Sequence, residues 1–214
     1  MSALGVPTLG APTAEGRPTI DVRALPPYGF GHRSILWWAT LLLIAIETMT
    51  LALIVASYFY LRGREGAWPP GITGPPWLGW GTLNLFILLA SVVPNHVYKK
   101  KAEQMDLRGV RLWLPVALAF GLAFVVVRWF EFSALNCDWN VNAYGSVVWV
   151  LLGLHTVHLV TDVLDTAVLA ALLFIGPIEG KRFVDTAENA YYWDFVVGIW
   201  IPIYLTIYWA PRWL

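Results

Sequence analysis

Five long apolar stretches separated by polar loops set the rhythm of this chain, at residues 35–61, 78–98, 112–130, 144–175 and 190–210. A bilayer core takes about 20 apolar residues as helix, and each stretch meets that length or comes close. The pattern predicts an all-α, polytopic membrane protein, a bundle of five transmembrane helices within 34–214, preceded by an N-terminal cytoplasmic tail at 1–33. The fourth stretch is long enough to tilt or to run along the interface. No internal repeat relates the stretches, which weighs against transporter folds built from inverted repeats.

The loops predict the orientation. With the N-terminus inside, the cytoplasmic side holds Arg17, Arg23, Arg33, Lys99, Lys100, Lys101, Arg108, Arg111, Lys181 and Arg182. The other side holds Arg62, Arg64 and Arg212, with Arg128 near the membrane edge. Lysine and arginine, not net charge, set topology; ten against three predicts N-in, C-out. The leading residues are rich in Pro, Gly and Ala and lack a basic segment followed by a short apolar core and cleavage site, so a disordered tail is expected rather than a signal peptide.

Composition agrees: 58% of the 214 residues are hydrophobic and 13% charged, against about 25% charged in soluble domains. Formal net charge is zero, so nothing points to nucleic acid. Trp37, Trp38, Trp77, Trp80, Trp113, Trp129 and Trp209 fall at the ends of apolar runs, where amphipathic rings favour the interface. The single cysteine, Cys137, excludes an intrachain disulfide or a thiolate metal cluster.

Ionisable groups inside the spans carry the candidate chemistry, because each costs perhaps 2.5–3.5 kcal/mol at mid-membrane. Glu47 lies near the middle of the first span and must be protonated, paired or turned to a polar cleft. In "GLHTVHLVTDVLDT", His155, His158, Asp162 and Asp165 are spaced 3, 4 and 3, which places them within an arc of about 80° over some 15 Å of helix. All four are expected to face the bundle. The first reading is a hydrogen-bonded seam between helices; a proton-conducting or proton-collecting role and a metal site remain beside it. A metal would need further ligands from Glu47, Asp194 or His96 converging on one point. Asp162, Asp165 and Asp194 are expected in the same leaflet.

Several segments resemble the subunit III family of haem–copper oxidases. "ETMTLALIVASYFYLR" resembles the helix bearing the family's membrane glutamate, and "LNLFILLAS" the helix after it. "RWFEF" resembles the end of the next, with Glu131 at the family's outer glutamate. "YGSVVWVLLGLHTVHL" places His155 and His158 on family positions, and "AENAYYWDFVVGIWIPIYLTIYW" has the closing aromatic pattern. The likeness runs from near Phe30 to the end, at the length of short five-helix bacterial forms. There are departures: Asp194 and Val197 stand for a usual histidine and aspartate, and Asp162 and Asp165 for small or apolar residues. The expectation is that Asp194 pairs with a fourth-helix histidine instead.

The resemblance implies a non-catalytic subunit of a proton-pumping terminal oxidase in the bacterial inner membrane. Its partners would be subunit I directly, subunit II in the same complex, and membrane phospholipids. It implies no cofactor in this chain, haem and copper in the partner subunits, and phospholipid in a cleft between the first two spans and the rest, lined by Glu47. A haem–copper centre needs roughly six histidines; this chain has four. Gly79, Gly81, Ala117, Ala119 and Gly121 would aid packing on subunit I. Alternatives are an accessory subunit of a quinol oxidase or nitric oxide reductase, and a small metal- or proton-binding transporter.

Overall fold

The computed structural model describes residues 9–10, 19–20, 29–71 and 74–213. The expected disordered tail lies for the most part outside them; within it, β1 (Leu9–Gly10) and β2 (Thr19–Ile20) form a two-residue antiparallel ladder. Five helices follow, each long and apolar enough to cross a membrane. They are α1 (Ile35–Arg64), α2 (Leu78–Glu103), α3 (Leu107–Ser133), α4 (Ala143–Ile175) and α5 (Gly180–Tyr204). A π-helical turn (Leu205–Trp209) and a last turn, α6 (Ala210–Trp213), prolong α5.

Local chemistry sets the starts. The Ser34 hydroxyl accepts from the Leu36 amide before α1, Asp106 from the Gly109 amide before α3, and Asn142 from the Gly145 amide before α4. Each satisfies one of the donors that a helix start leaves unpaired. Helices outrun the apolar stretches because a helix need not stop where hydrocarbon does: α2 continues through Lys99–Lys101, and α5 begins ten residues before residue 190. In α5, Pro202 cannot donate a backbone bond, and the π turn follows three residues later. The Thr206 hydroxyl donates to the Pro202 carbonyl there.

α5 is the hub, packing on α1, α2 and α4, while α2 also packs on α3, and α3 on α4. Of the most apolar windows of α5 and α1, 56% and 6% respectively are buried, so α1 is held by one edge only, against α4 and α5. The small residues expected to face a partner instead serve this chain. A Cβ on Gly81 would come within 2.4 Å of the Tyr208 ring, and one on Gly121 within 2.6 Å of Val163. Ala117 is buried as well, whereas Ala119 is exposed and Gly79 meets its own neighbour Trp77. Close backbone approach between helices needs such residues, and here the bundle's interior uses them.

Candidate functional site

The polar row of α4 divides into two stripes. His155 and Asp162 are one heptad apart and buried, at 0% and 3% exposure. His158 and Asp165 are also one heptad apart, offset toward α1; His158 is half-buried and Asp165 exposed. The expected single inward row is therefore a buried stripe facing α3 and α5 and a second stripe along a cleft, because about 60° separates neighbours three residues apart on a helix.

His155 closes a polar knot in the half of the bundle where α1 ends. Its Nδ1 lies 3.2 Å from Arg128 Nη2 and its Nε2 3.1 Å from the Val196 carbonyl. Arginine only donates, so Nδ1 accepts, Nε2 carries the proton and the ring is neutral. Arg128, expected at the membrane edge, is 1% exposed. Its guanidinium sits 4.1 Å above the Trp200 ring and 4.6 Å from Phe124, and Nη1 lies 2.9 Å from Glu131 Oε2. Glu131 also accepts from Asn84 and from the Tyr208 hydroxyl. Four helices and the π turn thus meet on one ion pair.

Toward the end where α1 begins, Asn189 of α5 is the tie. Its amide donates to Asp162 Oδ1 at 2.8 Å and reaches Asp165 Oδ2 at 3.4 Å. Its carbonyl oxygen accepts from Thr166 at 3.1 Å and from Tyr98 of α2 at 3.2 Å. Asp194 faces elsewhere. It accepts from Asn95 of α2 at 2.8 Å, with His96 at 3.8 Å and Lys99 at 4.0 Å. The expected pairing of Asp194 with a fourth-helix histidine is not formed, because Asp194 lies on the side of α5 that packs on α2. Nor do the three aspartates make one surface. The acid–imidazole contact belongs to Glu47 instead: its Oε1 lies 3.5 Å from His158 Nε2, and its Oε2 accepts from the Tyr192 hydroxyl at 2.8 Å.

Glu47 lines a cleft of about 540 Å³ between α1, α4 and α5. The expected cleft, between the first two helices and the rest, is displaced: α2 belongs to the packed body through Ser91, Asn95 and Tyr98, and α1 alone stands off. Asp162, Asp165, Asp185, Glu188 and Arg182 also line it. Among the described residues no three His, Cys, Asp or Glu side chains converge as a metal site requires. In the α3–α4 loop, burial chiefly, with Asp138 nearby, pushes the Cys137 thiol up to about 11, so it stays protonated at neutral pH. The residues that sequence reasoning passed over are Asn84, Asn95, Asn189, Tyr192 and Tyr208. Amides within apolar runs were the available signal.

Fold and site together define a multi-pass helical membrane protein whose ionisable side chains are turned inward and tied across helices. Comparison with known proteins narrows this. The family model described as cytochrome c oxidase subunit III matches residues 32–212, and the chain belongs to that family. It is similar to cytochrome c oxidase subunit 3 of Thermostichus vulcanus, 27% identical over 173 residues, covering 80% of this chain and 86% of the relative. The probable cytochrome c oxidase subunit 3 of Mycobacterium leprae is 28% identical over 180 residues, covering 79% and 85%. That of Mycobacterium tuberculosis (strain H37Rv) is 30% identical over 186 residues, with 79% and 85% covered.

Proposed function

We propose that this chain is the non-catalytic subunit III of a proton-pumping aerobic terminal oxidase of the cytochrome c oxidase type. It sits in the bacterial inner membrane, N-terminus in the cytoplasm, against subunit I and in one complex with subunit II. The family match over residues 32–212 carries this reading. Haem and copper belong to the partner subunits; four histidines in the whole chain, two of them engaged with Arg128 and Glu47, are too few for such a centre. The chain's own work is to brace subunit I through its exposed helix faces, to hold phospholipid in the α1–α4–α5 cleft, and to support proton uptake along the acids of that cleft. Glu47, with Tyr192 and His158 on its two oxygens, is the group at the deep end.

Purification of a tagged copy in mild detergent tests this. Haem-bearing polypeptides with an oxidase spectrum are expected to come with it. A chain that purifies alone while binding its own iron, or that moves solutes unaided in vesicles, would overturn the reading.

A further inference from the structure

Two carboxylates on the cleft are withdrawn from the surface and incompletely satisfied. Asp162 is 3% exposed, and while Oδ1 takes the Asn189 amide, Oδ2 has no hydrogen-bond partner. Glu188 is 6% exposed, and its Oε2 has none either. Both residues line the same cavity of about 540 Å³. Buried acceptors left without donors are costly, and these two lie beside three further acids, Glu47, Asp165 and Asp185. Arg182, 3.7 Å from Asp185, is the sole cationic side chain on the cavity wall. The remaining wall is apolar, and Leu36, Leu43 and Val168 are exposed, so the cleft is open to the bundle's surroundings.

The fitting occupant therefore has a positive charge with N–H donors at one end and hydrocarbon at the other. We infer that the cleft selects a phospholipid with a primary ammonium head, of the ethanolamine class. Its ammonium sets against Asp162 and Glu188, its phosphate toward Arg182, and its chains lie along Leu36, Leu43 and Val168. The inference rests on reading the cleft as a lipid site and adds which lipid. A choline head has the charge without an N–H to donate. Glycerol and serine heads bring more negative charge to a wall of five acids and one arginine. Asn189 is seven residues from Arg182, roughly 10 Å along α5, which separates the acidic and basic ends along the pocket. Asp162 is a departure from the small or apolar residue usual at this place in the resembling family, so the selectivity belongs to this chain's own residues.

The test uses the full chain in nanodiscs of equimolar phosphatidylethanolamine, phosphatidylcholine and phosphatidylglycerol with matched acyl chains. Retained lipid is read by native mass spectrometry during stepwise delipidation. The ethanolamine lipid is expected to persist about tenfold over the other two, the scale of one hydrogen bond to a charged group. Asp162→Asn and Glu188→Gln should each remove most of that preference and leave retention of the other heads unchanged. Should Asp162→Asn fail to fold, Glu188→Gln and the exposed Asp165→Asn carry the test. Equal retention of all three heads, preference for the glycerol lipid, or uniform loss of every lipid in the variants would overturn the selectivity and leave the lipid-cleft reading standing. No retained lipid at all would end both.

Discussion

Arg128 and Glu131 lie three residues apart on α3, and both are withdrawn from the bundle surface. A buried pair of this kind adds little net stability over an apolar replacement, but removing one partner strands the other, at about 3–5 kcal/mol. Glu131→Gln and Arg128→Met are each expected to lower stability by roughly that amount, and Arg128→Met with Glu131→Leu together by less than the sum of the two. Unfolding in mixed detergent micelles measures all three; strictly additive losses would mean that the charges do not act as a pair. Glu47→Gln is a different case. It retains an acceptor for the Tyr192 hydroxyl while removing the carboxylate beside His158. In the assembled oxidase it should leave the initial rate near normal and hasten inactivation during turnover, and an unchanged decay would remove Glu47 from the functional account.

Among the elements, α3 carries two sensitive points. At its start, the Gly109 amide and then Lys101 hold the Asp106 carboxyl below its usual value. A depressed folded pKa gives a contribution that is complete above the unfolded value and lost as pH falls through the folded one. The melting gap between the parent and Asp106→Ala should therefore be present at neutral pH and close below about pH 4; a gap that widens in acid would contradict the cap. Deeper in α3, Gly121→Leu drives a side chain into Val163 and Trp193, an overpacking worth about 1–3 kcal/mol that a thermal melt should show. The helices themselves were legible, since length and apolar content alone demand them. Their rotations were not. Each is apolar on nearly every side, so periodicity does not say which face turns inward. Hence Arg128 was placed at an edge, Asp194 was paired with the wrong helix, and the small residues of α2 and α3 were assigned to a partner.

For the whole molecule, the charge bias predicts a direction across the membrane that side-specific labelling can read. The native Cys137, buried and with its thiol raised to about 11, is a poor target for a maleimide. In intact spheroplasts, Arg64→Cys should react with an impermeant maleimide and Lys100→Cys should not; the reverse result would invert the orientation. The existence of a polar site was legible from ionisable residues in apolar runs. Its form was not, because the cleft depends on α1 standing apart from α2, and nothing local in "ETMTLALIVASYFYLR" records that separation.

The central place of α5 has a consequence for how the molecule is made. The ribosome releases this segment after the other four, yet Asn189, Tyr192 and Tyr208 come from it and its extension and are what hold Asp162, Glu47 and Glu131. Until it enters, three acids lie in the lipid phase without these partners. Biogenesis thus has a waiting stage, during which the nascent intermediate depends on the insertion machinery for shelter, and commitment to the native bundle comes only with the final hairpin.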